Sequence, residues 1–120
     1  MPNTVLIAED NALFISIYKA IFEDFDCEVT FVDSAKAAYG FAERSRPTLI
    51  ILDLNLSDGS GEEVLRGLRG GEATRATPIL IVSTSAGREE ERLRAAGATA
   101  ILPKPIRIDS FTALVRQYLS

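Results

Sequence analysis

Thr48-Leu49-Ile50-Ile51-Leu52-Asp53 is an apolar run that ends on an acid. Its four consecutive aliphatic residues leave no polar face, so a strand made of them must be buried on both sides. Ile79-Leu80-Ile81-Val82, after Pro78 and before Ser83, reads the same way. Two such strands call for a parallel sheet with helices on both faces. Outward from this pair, Thr4–Ala8, Glu28–Val32 and Ala100–Leu102 read as the remaining strands. Helical spacing fills the intervals: Ala12 to Phe25, a helix capped by Asp33 or Ser34 and running to Glu43, Glu62 to Arg69, Arg88 to Ala96, and Asp109 to Leu119. Gly59 and Gly61 mark a turn, and Gly70-Gly71 and Gly97 mark helix ends. Five strand–helix units over residues 1–120 predict a single α/β domain with a doubly wound, five-stranded parallel sheet and five helices.

Composition narrows the function. The 120 residues are 47% hydrophobic and 25% charged, with a net charge of −4, and no basic stripe suggests nucleic-acid binding. Met1-Pro2-Asn3-Thr4 does not read as a signal peptide, and no apolar run approaches membrane-span length. The single cysteine, Cys27, excludes an internal disulfide and fits a reducing cytoplasm, where it reads as core filler. The chain has no histidine, which removes a Ser-His-Asp triad, a Cys-His pair and a histidine zinc site together. Only oxygen ligands remain in quantity, and these suit a hard cation such as magnesium.

The carboxyl ends of parallel strands share one rim. Glu9-Asp10 after the first strand, Asp53 after the third, Ser83 after the fourth and Lys104 after the fifth should therefore meet there, with Asp58 a few residues beyond Asp53. Crowded carboxylates repel, so such a cluster calls for a cation. Each residue also has a plain reading. Glu9-Asp10 can open a helix, Asp53 and Lys104 can be loop residues, and Ser83 a turn hydroxyl. Their joint placement on one edge favours a site.

Leu6-Ile7-Ala8-Glu9-Asp10-Asn11, Ile51-Leu52-Asp53-Leu54-Asn55-Leu56, Gly61, Pro78 to Thr84, Gly97-Ala98 and Leu102-Pro103-Lys104-Pro105 together resemble the receiver domains of two-component response regulators, of the chemotaxis-regulator type. The resemblance spans the whole chain and implies a flavodoxin-like fold. It implies that Asp53 accepts a phosphoryl group from a phosphohistidine on a sensor kinase or histidine phosphotransfer protein. Asp10, Asp53 and the backbone carbonyl of Asn55 would ligate magnesium, and Glu9 would act through a water. Lys104, after a strand and before a cis Pro105 bond, would pair with Asp53 and then with the phosphoryl group. The Ser83 hydroxyl and the Thr84 N–H would bind phosphoryl oxygens. The output would be a change in protein–protein contacts, with no direct contact to nucleic acid or membrane. The protein would act on its own Asp53 and would not be a turnover enzyme.

Departures from the family pattern bear on the switch. Ser57 replaces a common proline, Thr84 a usual alanine, and Ile101 an aromatic ring that in many receivers turns inward with the hydroxyl. Ala98-Thr99-Ala100 lacks acids that one DNA-binding subfamily uses between receiver dimers. With Ile101 in place, the response should centre on the Ser83–Arg88 loop. On the first helix, Ile15, Tyr18 and Phe22 form a second stripe beside the rim, read either as partly exposed for docking or as part of a wide buried stripe.

Other readings were weighed. A phosphatase of the haloacid-dehalogenase type needs a second aspartate two residues after the nucleophile, where Asn55 stands. A flavodoxin-like cofactor binder needs a loop rich in Ser, Thr and Gly, whereas Glu9-Asp10-Asn11 would repel a phosphate. A phosphorylation-independent interaction module on the same scaffold is the remaining alternative.

Overall fold

The computed structural model describes residues 3–56 and 58–119. In chain order the elements are β1 (Asn3–Ala8), α1 (Ala12–Phe22), β2 (Cys27–Val32), α2 (Ala35–Ser45), β3 (Leu49–Asp53), β4 (Asn55–Leu56), β5 (Gly59–Ser60), α3 (Gly61–Gly70), β6 (Ile79–Ser83), α4 (Ala86–Ala96), β7 (Ala100–Pro103) and α5 (Ile108–Arg116). Five strands form one parallel sheet in the order β2-β1-β3-β6-β7. The chain leaves β1 toward β2 on one side and returns to β3 on the other, so the order reverses at β1. Ligands of open α/β sheets bind at the carboxyl side of such a reversal.

Side chains alternate across the sheet and build a core on each face. Leu6, Ile50, Leu52, Ile79 and Ile81 pack with Ala38, Ala42, Leu65, Leu68 and Leu93 from α2, α3 and α4. Val5, Ile7, Leu49, Ile51, Leu80 and Val82 pack with Tyr18, Ile21, Phe22, Phe111 and Val115 from α1 and α5. The apolar runs are thus buried because both faces are covered. No helix among the described residues is long and apolar enough to cross a membrane.

Several boundaries differ from the sequence reading. The first helix stops at Phe22, because Glu23, Asp24 and Asp26 place negative charge where the helix dipole is already negative. Phe25 N–H instead closes a tighter turn onto the Phe22 carbonyl at 3.1 Å, and its ring packs on Phe22 with centroids 5.6 Å apart. The last helix ends at Arg116, three residues before Leu119; Gln117 and Tyr118 N–H tighten onto the Leu114 and Val115 carbonyls. β3 and β6 include Asp53 and Ser83 themselves. Both backbones are therefore held by pairing, Asp53 beside Val82 and Ser83 beside Pro103.

The turn expected at Gly59 and Gly61 is a short antiparallel hairpin, with Asn55 opposite Ser60 and Leu56 opposite Gly59. Gly61 N–H donates to the Leu54 carbonyl at 2.8 Å. A Cβ on Gly61 would run into the Asp53 carbonyl and lie 2.8 Å from Leu54 Cα, so only glycine lets α3 start this close to the Asp53 backbone. Ser57, a departure from the family pattern, lies outside the described residues. The structure divides the second stripe on α1 between its two readings. Tyr18 and Phe22 are 1% and 5% exposed, and only Ile15 of that set is half-buried. The sheet face under α1 is wide enough to take both stripes, and the exposed apolar residue is Leu13.

Candidate functional site

Glu9 follows β1 and its N–H donates to the Val32 carbonyl at 2.9 Å, extending the β1–β2 pairing. The acid pair does not cap α1. Asn11 does, its side-chain oxygen accepting from Leu13 N–H at 2.9 Å and Phe14 N–H at 3.3 Å. Glu9 and Asp10 are thereby free to face the rim. Glu9 is 1% exposed and Asp10 is exposed.

Lys104 follows β7 across the rim, and its N–H donates to the Ser83 carbonyl at 3.1 Å. The Lys104–Pro105 peptide is cis. The Lys104 ammonium lies 2.8 Å from Glu9 Oε1 and 3.4 Å from Asp53 Oδ2, and 4.1 Å above the centre of the Phe14 ring. An ammonium has three N–H groups, and here two face carboxylates and one side faces a π system. Its shorter contact is to Glu9, not Asp53. Glu9 Oε2 accepts from Asn11 N–H at 3.1 Å, and Asp53 Oδ1 accepts from Asn55 N–H at 3.2 Å.

One carboxylate oxygen from each of Glu9, Asp10 and Asp53 lies within 4.8 Å of the others. This all-oxygen set has the size and chemistry for a hard divalent cation. Burial holds the Glu9 carboxyl above its usual range; the hydrogen bond from Lys104 opposes that, and the Asp53 charge adds to it. The field reaches beneath α1. Burial, then the charges of Glu9 and Asp53, push the Tyr18 phenol well above its ordinary value.

Glu9, Asp10, Asn11, Phe14, Asp53, Asn55, Thr84 and Lys104 line a cleft of about 230 Å³. A larger groove of about 600 Å³ runs over α2, lined by residues such as Tyr39, Phe41 and Arg44, and no carboxylate lines it. Chemistry places the site in the smaller cleft.

Ser83 and Asp58 are each engaged by neighbouring backbone groups. Ser83 is fully buried and its hydroxyl is engaged by Ser85, whose N–H donates to it at 3.2 Å. Asp58 faces away from the rim. It accepts from Ala35 N–H at 2.6 Å and Lys36 N–H at 3.2 Å, tying the loop after Asp53 to the start of α2. Those two hydrogen bonds draw its carboxyl below the usual range. Ile101 is half-buried against the α2–α4 core, so an aliphatic side chain occupies the place of the family's ring. Phe14 is a rim residue that the sequence reading did not place there. Its position one turn after Glu9-Asp10 was the available signal for a rim residue.

The sequence matches the response regulator receiver domain family over residues 5–116. It is 32% identical over 120 residues to the polar-differentiation response regulator DivK of Brucella anthropi, covering 99% of this chain and 98% of that protein. Among solved structures it resembles the receiver domain of the sensor histidine kinase PA1611 from Pseudomonas aeruginosa, which holds a magnesium ion in its active-site cleft; the TM-score is 0.89 at 25% identity, over 99% of this chain and 98% of that one. The chemotaxis protein CheY4 of Vibrio cholerae superposes with a TM-score of 0.87 at 25% identity, over 99% of this chain and all, 100%, of that one. A match running from β1 to the end of α5, over a sheet whose carboxyl rim gathers three acids and a lysine, leads to one conclusion: the chain belongs to the receiver domain family of two-component response regulators.

Proposed function

We propose that Asp53 is the phosphoacceptor, taking a phosphoryl group from a phosphohistidine on a partner histidine kinase or phosphotransfer protein in the cytoplasm. The observation that carries this reading is the Asp53 carboxylate, 6% exposed, 3.4 Å from the Lys104 ammonium and grouped with Glu9 and Asp10. An Asp53 carboxylate oxygen attacks phosphorus. The P–N bond to the donor imidazole breaks, its electron pair returns to the ring nitrogen, and an acyl phosphate remains on Asp53.

Asp10, Asp53 and the Asn55 backbone carbonyl would hold magnesium directly. Glu9 would hold it through a water, since its two oxygens already accept from Lys104 and Asn11. Bound magnesium would neutralise charge on the transferring phosphoryl oxygens. Lys104 shifts from the carboxylates to a phosphoryl oxygen as charge arrives there. The Thr84 N–H and the Ser83 hydroxyl take the others. Phe14 keeps the lysine over the cleft throughout. The protein is thus both catalyst and substrate of a single transfer, and its product is its own altered surface.

Acetyl phosphate or phosphoramidate with magnesium should add one phosphoryl group, seen by intact mass, and Asp53→Asn should abolish it. Stoichiometric labelling of that variant would move the acceptor elsewhere, Asp10 being the nearest carboxylate.

A further inference from the structure

The Ser83 hydroxyl belongs to a chain of polar groups that leaves the rim along α4. Ser85 Oγ donates to Glu89 Oε2 at 2.9 Å. A serine has one hydroxyl proton, so the 3.2 Å contact between the two serines has Ser83 as donor. Glu89 Oε1 pairs with Arg92. Arg92 Nε reaches Glu62 Oε1 on α3 at 2.8 Å, and Glu62 Oε2 pairs with Arg66 at 3.2 Å. The donors run Ser83 to Ser85 to Glu89; Arg92 then donates to both Glu89 and Glu62, and Glu62 also accepts from Arg66.

Ser83 has one proton and two competing acceptors. It cannot donate to Ser85 and to a phosphoryl oxygen at once. Hydrogen bonds in series polarise one another, so removing the Ser83 donor weakens the Ser85–Glu89 bond and shifts the share of Glu89 that Arg92 holds. Ile101 supplies no aromatic ring to follow the hydroxyl. Arg66 and Arg92 are each 56% exposed, so the far end of the chain is open to solvent.

We propose that Ser85 and Glu89 are positioning residues that hold the Ser83 hydroxyl out of the cleft, and that its departure is passed through Glu89, Arg92 and Glu62 to α3. This rests on the reading of Asp53 as phosphoacceptor.

The test is amide hydrogen exchange with magnesium, before and after beryllofluoride, a phosphoryl mimic. In the parent protein, exchange over residues 62–66 should change about fivefold or more, the low end of an ordinary coupling between sites. Arg92→Ala replaces an exposed side chain, so it should bind beryllofluoride within about twofold of the parent, whereas Glu89→Ala loosens Ser85 and with it Ser83 and should bind it at least as tightly. Both should lose the response over residues 62–66 while keeping the response at residues 83–85. Arg94→Ala breaks the Glu90 pair outside the chain and should leave the α3 response intact. Beryllofluoride binding without any α3 response, or an α3 response that survives Glu89→Ala and Arg92→Ala, overturns the relay alone. No Asp53-dependent binding in the parent protein would overturn the phosphoacceptor reading and the relay with it.

Discussion

Two partly buried cations sit at opposite ends of the same sheet. Lys104, at the carboxyl ends of the strands, faces Glu9, Asp53 and the Phe14 ring. Arg69, at the end of α3, reaches the segments that lead into β6 and β7. Its guanidinium donates to the carbonyls of Gly97 at 2.9 Å, Thr74 at 3.2 Å, Arg75 at 3.2 Å and Thr77 at 2.7 Å, and to the Thr99 hydroxyl at 3.3 Å. None of those acceptors is charged, and burial pulls the guanidinium below its usual range. Gly97 completes the clamp. Its φ of +113° is a left-handed value, and a Cβ there would lie 2.6 Å from the Arg69 stem. The contrast separates two uses of buried charge. A cation saturated by fixed neutral dipoles has nothing to exchange, and it staples the fold. A cation among carboxylates holds partners that a metal or a phosphoryl group can take from it.

Breaking each cation should therefore have different consequences. Lys104→Ala should slow labelling by small phosphodonors about 100-fold, the scale of losing one preorganised charge partner in a transfer site. It should remain folded by circular dichroism. Rates near those of the parent protein would demote Lys104 to a structural ion. Arg69→Ala should do the reverse. It frees several part-buried carbonyls and should cost about 2 kcal/mol in a denaturant melt, with labelling at low denaturant little altered. A loss of labelling without a loss of stability would erase the distinction between the two ends.

Charge facing charge should also respond to metal. Asp10→Asn should weaken magnesium binding about tenfold or more, measured by calorimetry, since even outer partners of metal ligands cost that much. Glu9→Gln should do less. In the absence of metal, Asp10→Asn should melt higher than the parent, because one of three crowded carboxylates has lost its charge. An unchanged melting temperature in both conditions would place the cation elsewhere.

Asp58 offers the smallest test, as an anion saturated by neutral donors. Its folded carboxyl is held below the unfolded value of 3.8, so its contribution is present above that value and lost as pH falls through the lower, folded one. Asp58→Ala should be less stable than the parent at neutral pH, and the gap should close in acid below pH 3.8. A gap that persists through the acid range would mean the loop is held by something other than this carboxylate.

The rim was legible because its residues are tied to local pattern. Asp53 and Ser83 each end an all-apolar run, and the strand ends of a parallel sheet share a side whatever the strand order. Arg69 was not legible. Before Gly70-Gly71 it reads as a solvated cation in a helix's last turn, and its acceptors lie up to 30 residues away in sequence. Asp58 was misplaced for a related reason. Its distance from Asp53 in sequence suggested the same rim, but the hairpin between them turns the chain toward α2. The burial of the α1 stripe stayed open because helical spacing marks which residues align and not how wide a surface awaits them.

The sequence alone determined the alternation of strands and helices, the double burial of β3 and β6, and the group of residues that ends at the carboxyl rim. These follow from hydrophobic periodicity and chain direction, which are local. The tertiary structure decided the pairings: Lys104 nearer Glu9 than Asp53, Ser83 bonded to Ser85 and not open to the cleft, Asp58 on α2, and Arg69 among carbonyls. Each of these depends on distances of a few ångströms between segments brought together only by strand order and helix packing, and hydrogen bonds and ion pairs change strength over that range.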